Sequence, residues 1–343
     1  MKTSPASFGA SAPAGREVSR SGRSRSRPVT RPASGSRSVE VALRDRFAAA
    51  LTVEAERYGA APPLTLGADG ELSGSLVVAS QARRLAEALP ELAAALAERP
   101  VLAAAEDPAT TAGWSLARVR TPLFAAPTGD KLATEVRPGD PPLRRLALEP
   151  VSGRGLVQTV AGTLGWAPLG HNRPLPADQA SQRLADFLAT PRAPRGECVV
   201  SATAADHRAA LAGLLAEARD WARHAIPYRL GAADPSAAID CSALTQRLFQ
   251  RHFSFWLPRH SSDQKRCGRR IGRAALGSGD LVFATARRRR IFHVALAVAP
   301  GRVVHACLTE GRVVEEALDD FFQRYTFRAA TRLVASPDTA ETA

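Results

Sequence analysis

Apolar residues recur at two periods along this chain, and the change of period divides it. From Val39 to Tyr58, the positions Val39, Leu43, Phe47 and Leu51 fall at i, i+4 spacing, the stripe of an amphipathic helix. A loop with Pro62-Pro63 and Gly67 follows, then a strand ending in Leu76-Val77-Val78. Ala79 to Glu98 is helical again through Leu85, Leu89, Leu92 and Leu96, with Pro90 placed to kink it or to begin a second helix. Such stripes are packing faces, so residues 39–110 are read as a small helical region without chemistry.

Residues 111–172 shift to short strands separated by Pro, Gly and Asp: Leu116 to Arg120, Lys131 to Val136, Leu143 to Leu148, Leu156 to Val160 and Leu164 to Ala167. Strands this short and evenly spaced predict a small barrel. Residues 173–205 read as a linker, with a polar helix from Asp178 to Leu188 and the run Pro191-Arg192-Ala193-Pro194-Arg195. From residue 206 to 336 the pattern predicts one compact unit. A helix from Ala204 to His224 leads in, and a second runs from Cys241 to Arg251. Strands follow at Asp280 to Thr285, Ile291 to Val298, Val303 to Leu308 and Arg312 to Glu315, then a short helix from Asp319 to Tyr325 and a closing strand from Phe327 to Val334. A helix packed on an antiparallel sheet is an α+β arrangement. Residues 337–343 read as a tail.

The chemistry lies in this last unit. Asp240 is placed to cap the helix that opens at Cys241, so the thiol sits in the first turn, where free N–H groups and the helix dipole favour a thiolate. His293 lies in an alternating strand whose other face is apolar; His305 follows twelve residues later. With the turn centred on residue 299, inside Val298-Ala299-Pro300-Gly301, the two histidines are directly opposed on one face of a hairpin. That supplies a nucleophile, a base and a group to orient the base. A zinc site from the same three residues is the competing reading, but the close ligand pairs common in zinc enzymes are missing.

Pro227-Tyr228-Arg229-Leu230-Gly231, Asp240-Cys241-Ser242, Leu257-Pro258-Arg259 with Gln264, Gly279-Asp280-Leu281-Val282-Phe283, His293-Val294 and His305-Ala306 occur in the order of the NlpC/P60 family, which this stretch resembles over about residues 206–336. Ala243 stands where that family usually has glycine, and Leu230-Gly231-Ala232 replaces a double glycine. The resemblance implies a papain-like cysteine peptidase of bacterial cell-wall peptides, with Cys241, His293 and His305 as catalytic triad. It further implies that Tyr228 faces the site and that Asp240 with Ser242 binds a free substrate amine. Arg259 and Gln264 are read as structural, and His224, His252 and His260 show no partner pattern. Arg118-Val119-Arg120 before Pro122-Leu123, and Gly162 with Leu164-Gly165-Trp166-Ala167-Pro168, resemble a bacterial SH3-like domain. In related wall-peptide enzymes such domains bind wall material or form one side of the substrate groove; a spacer role is the alternative.

Composition changes the picture at the margins. The chain has 343 residues and a formal charge of +13, which implies affinity for polyanions in general. Residues 1–38 carry eight Lys or Arg against one acidic residue and read as a disordered tail, either solubilising or a tether to nucleic acid, anionic lipid or wall polymer. Arg287 to Arg290 form a second basic run beside the strand of His293, where it is a solvated turn or steers an anionic muropeptide. Four cysteines without CxxC pairing are too few for a disulfide framework, and Cys198, Cys267 and Cys307 read as bystanders. With neither a signal-peptide run nor a membrane-spanning stretch, the expected location is the cytoplasm unless a non-standard route exports the protein. No cofactor is expected. The expected function is a cysteine endopeptidase cutting peptidoglycan stem peptides, at D-glutamyl to diamino acid by resemblance. An acyltransferase or amidase on the same fold, and a polyanion-binding protein with an idle triad, stay open.

Overall fold

A computed structural model of the chain describes residues 34–58, 62, 64–76, 80–99, 113–146, 152–286 and 292–336. The basic run Arg287 to Arg290, the tail 337–343, the tail up to residue 33 and the strand residues Val77-Val78 lie outside the described residues. Helix α1 (Ser34–Tyr58) begins inside the stretch expected to be disordered. It is followed by a hairpin of β1 (Leu64–Leu66) and β2 (Leu72–Gly74), then α2 (Ser80–Ala88) and α3 (Ala93–Ala97). Pro90 opens a 3₁₀ turn between α2 and α3, because it cannot donate back into a continuing helix. Phe47, Leu64, Leu72, Leu85, Leu89, Leu92 and Leu96 close on one another as the core of this part.

Seven short strands follow: β3 (Gly113–Ala117), β4 (Thr121–Phe124), β5 (Leu132–Val136), β6 (Leu143–Arg145), β7 (Arg154–Gln158), β8 (Leu164–Pro168) and β9 (Asn172–Pro174). They form one antiparallel sheet in the order β5-β4-β8-β7-β6-β3-β9. The sequence pattern hides β4, because Pro122 interrupts it. Gly165 is required by close approach: a Cβ there would lie 2.6 Å from the Cβ of Leu123. Trp166 beside it is fully buried.

Helix α4 (Ala180–Ala189) and strand β10 (Val199–Val200) lead to α5 (Ala204–Arg223), capped by the Thr203 side chain. A short pair, β11 (Ala233–Asp234) and β12 (Ala238–Ile239), precedes α6 (Cys241–Phe253) and α7 (Ser261–Gln264). The main sheet is built from β13 (Arg269–Ile271), β14 (Leu281–Ala286), β15 (Phe292–Ala299), β16 (Arg302–Cys307), β17 (Arg312–Ala317) and β18 (Tyr325–Arg332), with α8 (Leu318–Arg324) before β18 and β19 (Val334–Ala335) after it. Its order is β13-β18-β14-β15-β16-β17, with every pairing antiparallel. The mixed α+β class expected from the sequence is therefore what forms.

Both faces of the main sheet are covered. Val294, Leu296, Val298, Val304 and Ala306 pack with Leu214 of α5 and Leu244, Leu248 and Phe249 of α6. On the other face Val282, Ala284, Ala295 and Val303 meet Phe321 and Tyr325 around α8. The face that carries the histidines is thus a second small core.

The seven-stranded sheet is joined to this unit by buried polar contacts. Arg247 of α6 makes a bidentate pair with Asp140 at 2.7 and 2.8 Å. Glu135 of β5 accepts from Arg229 at 2.6 Å and from the backbone N–H of Ala233 at 3.0 Å. Trp114, Val160, Phe187 and Trp256 form an apolar cluster alongside. Among the described residues no helix is long and apolar enough to cross a membrane.

Candidate active site

The chain enters α6 through Asp240, whose carboxylate accepts the Ala243 N–H at 2.9 Å and so satisfies a donor that the first helical turn leaves open. Cys241 is the first helical residue and is 8% exposed. The backbone at Val294 and Ser242 works to lower the pKa of its thiol, so the sulfur lies near the strand residue that follows His293. Burial, with a smaller contribution from the Asp240 charge, pushes the thiol up to about 12 despite those backbone donors and the Arg259 charge. In the free protein desolvation therefore opposes the helix dipole and disfavours the thiolate of Cys241.

His293, on β15, is 5% exposed, and His305, on β16, is fully buried. Their rings meet edge to face, with Nε2 of His293 2.8 Å from Nδ1 of His305. They are not directly opposed as expected. Leu296 faces Val304 and Ala297 faces Val303; the register then shifts, so that Ala299 faces Arg302. Continuing the Leu296 register sets Ala295 opposite His305, and His293 lies two residues further along on the same face. The displacement arises because Pro300-Gly301 forms the tip, with Gly301 at a φ of 70° that favours glycine. A diagonal neighbour is still within reach of a long side chain. Burial and the neighbouring His305 hold His293 well below its ordinary pKa, so it rests as a neutral base.

The relay continues through a residue that carries no sequence motif. Nε2 of His305 is 2.6 Å from Oε1 of Glu316 on β17, and the other carboxylate oxygen of Glu316 is bonded by Arg324 at the end of α8. Val303 faces Glu316 and His305 faces Val314, so this step is again diagonal. The His293 ring lies nearly parallel to Tyr325, with centroids 4.6 Å apart and planes 11° apart. Glu316 follows Glu315 in the run Val313-Val314-Glu315-Glu316, and nothing in its spacing to the histidines singles it out.

Asp240 and Ser242 are committed within the protein. Asp240 receives Arg259 at 2.8 and 2.6 Å, Gly231 N–H at 2.8 Å and the Ser242 hydroxyl at 3.2 Å, besides Ala243. Ser242 Oγ also accepts from Arg259 at 2.9 Å. Burial works to raise the Asp240 pKa, but the Arg259 charge and these donors hold it below the usual carboxylate value. Arg259 reaches on to Thr134 of the seven-stranded sheet at 2.8 Å. Gln264 bonds Thr245, the Ser242 carbonyl and the Pro258 carbonyl, a structural brace for α6. Tyr228 is half-buried near the thiol: burial, then the Cys241 and Asp240 charges, raise its hydroxyl pKa. His252 pairs with Glu217 and His224 with Asp220, partners that sequence spacing did not show. Cys198, Cys267 and Cys307 are free thiols.

A buried thiol at a helix start, beside two antiparallel strands that carry a hydrogen-bonded imidazole pair, has the parts of a cysteine-type hydrolase. A model described as the NlpC/P60 family matches residues 225–331. A probable endopeptidase NlpC homolog of Haemophilus influenzae is 33% identical over 107 residues, 31% of this chain and 55% of its own. A murein DD-endopeptidase MepS/murein LD-carboxypeptidase of Escherichia coli is 31% identical over 106 residues, 31% of this chain and 54% of its own. A second Haemophilus influenzae protein, a probable endopeptidase, is 30% identical over 125 residues, 36% of this chain and 75% of its own. The chain belongs to the NlpC/P60 family. It spans about half the length of the first two relatives.

Proposed function

We propose that this chain is a cysteine peptidase that hydrolyses amide bonds in peptidoglycan stem peptides, at the D-glutamyl to diamino acid linkage. The observation that carries the reading is the 2.8 Å bond between His293 and His305, on the strand whose Val294 backbone acts on the Cys241 thiol. The name of the murein-acting relative and the order of the motifs supply the substrate class.

In the proposed reaction His293 takes the Cys241 proton as the sulfur attacks the carbonyl carbon. The C–N bond then breaks and His293 returns that proton to the leaving amine, which leaves a thioester on Cys241. Water, deprotonated by His293, attacks the thioester; the C–S bond breaks and the proton returns to the thiolate. A neutral thiol and a neutral imidazole at rest fit this order, because the proton moves only when attack begins. His305 holds the ring of His293 in place and stabilises its charged form.

Tyr228 is the substrate-facing residue in this reading. Asp240 and Ser242 frame the site: their bonds to Arg259 and Gly231 set the loop before α6. The seven-stranded sheet is read as an SH3-like domain docked onto the catalytic unit, and what supports this is the set of contacts from Thr134, Glu135 and Asp140. The test is digestion of defined muropeptides by the wild type and by Cys241→Ala, read by mass spectrometry. Cleavage by the wild type alone is expected, with fragments that place the cut after D-glutamate. Fragments cut at another bond would reject the linkage, and no cleavage of any stem peptide would reject the substrate class.

A further inference from the structure

The carboxylate that ends the relay determines more than position. An ionised carboxylate only accepts hydrogen bonds, so the 2.6 Å contact between Oε1 of Glu316 and Nε2 of His305 requires the His305 proton to be on Nε2. A neutral imidazole has one N–H, so Nδ1 of His305 is an acceptor. The 2.8 Å contact to His293 is then a donation from Nε2–H of His293, and the lone pair of His293 is left on Nδ1. Resting on the proposed roles of Cys241 and His293, we propose that Glu316, clamped by Arg324, is a positioning residue that fixes the tautomers of both imidazoles and so keeps Nδ1 of His293 free to take the thiol proton.

Two histidines bonded to each other have no direction of their own. The reversed pair, with His305 donating from Nδ1, would accept at Nε2 of His293 and leave a proton on its Nδ1, where it cannot act as base. Glu316 removes that degeneracy. Burial works to raise its pKa, but the bond from His305 and the neighbouring Arg324 hold it below the usual carboxylate value, so it stays an acceptor. Arg324 occupies its second oxygen and leaves the first to His305. The charged and titratable groups around the relay are His293 on β15, His305 and Cys307 on β16, Arg324 on α8 and Tyr325 on β18, whose hydroxyl lies 3.9 Å from the Cys307 sulfur. When His293 gains the thiol proton its Nε2–H still donates to His305, and His305 still donates to Glu316. The new positive charge is thus answered by a carboxylate two bonds away, and no proton needs to reach Glu316.

The experiment uses the full chain labelled with ¹⁵N-histidine, as wild type, Glu316→Gln and Arg324→Gln. Long-range ¹H–¹⁵N correlation is recorded for His293 and His305, and kcat and KM are measured on a stem peptide. The wild type is expected to show both rings protonated at Nε2. Glu316→Gln, whose amide can offer either a donor or an acceptor, is expected to show mixed or reversed tautomers and a kcat lowered roughly 10- to 100-fold with KM little changed. Arg324→Gln keeps the carboxylate and is expected to give a partial loss of the same kind; it carries the test if Glu316→Gln fails to fold. Wild-type tautomers and wild-type kcat in both folded variants would overturn the proposal, as would His293 protonated at Nδ1 in the wild type. The tautomer pattern needs no substrate, so a wild type that cleaves no stem peptide would reject the proposed function while the spectra still decide the role of Glu316.

Discussion

His293 and His305 are diagonal neighbours on adjacent strands, joined Nε2 to Nδ1 at 2.8 Å, and this places the plane of the His293 ring under the control of its other neighbours. The largest of these is Tyr325, stacked at a centroid separation of 4.6 Å. Tyr325→Ala removes the stacked surface and is expected to lower kcat by up to about 100-fold, because a base displaced by about an ångström loses alignment with its proton. Tyr325→Phe keeps the ring and is expected to retain turnover. Parallel denaturation curves separate the effect from loss of core packing. An alanine variant with wild-type kcat would contradict a supporting role for the ring.

The pH dependence of Cys241 follows from its surroundings. Burial first, and Asp240 second, push the thiol up to about 12, and the thiolate is the reactive form. Alkylation by iodoacetamide is therefore expected to be slow at neutral pH and to climb steadily through pH 9 to 10 (roughly the range above an ordinary thiol) without a plateau. Cys241→Ala serves as the blank for Cys198, Cys267 and Cys307. A plateau near neutral pH would show a preformed thiolate and imidazolium instead.

The Asp240–Arg259 pair holds the loop before the nucleophile, and Arg259 is only 3% exposed. Arg259→Ala strands a buried carboxylate and is expected to cost about 3–5 kcal/mol in a urea denaturation. The same pair sets a pH limit. Because Asp240 has a lower pKa folded than unfolded, its contribution is fully present above the unfolded value, about 3.9, and is lost as pH falls through the folded value. The wild type is thus expected to lose stability below about pH 4, and Arg259→Ala to lose less over that range. A variant as stable as the wild type would show that the pair is dispensable.

At Gly165 the constraint is steric. The Leu123 Cβ would stand 2.6 Å from an added methyl group, and both residues belong to paired strands that cannot move apart freely. Gly165→Ala is expected to destabilise the protein by about 1–3 kcal/mol, measured by urea denaturation. An unchanged midpoint would mean that the seven-stranded sheet relaxes at that position.

The local parts of this architecture were legible in the sequence. Asp240 as cap, Cys241 as first helical residue and the strands carrying His293 and His305 follow from periodicity and capping rules that act over a few residues. The register between those strands was misread, since it depends on whether Ala299 or the pair Pro300-Gly301 forms the tip, a choice that shifts every partner. Glu316 and Arg324 were missed for the same reason: they reach His305 through strand pairing and a following helix, and neither leaves a motif. The burial that opposes the helix terminus at Cys241 is a tertiary quantity and leaves no mark in the local sequence. Thr134, Glu135 and Asp140 lie about a hundred residues before the groups they bind, beyond any spacing rule.

The covalent reaction at Cys241 is the central step of the proposed function. Its most direct test is rapid-quench mass spectrometry of the wild type with excess stem peptide, followed by peptide mapping. The expected result is a transient acyl adduct on Cys241 that decays as product appears, and neither adduct nor product with Cys241→Ala. Stem-peptide cleavage by Cys241→Ala at the wild-type rate would contradict it.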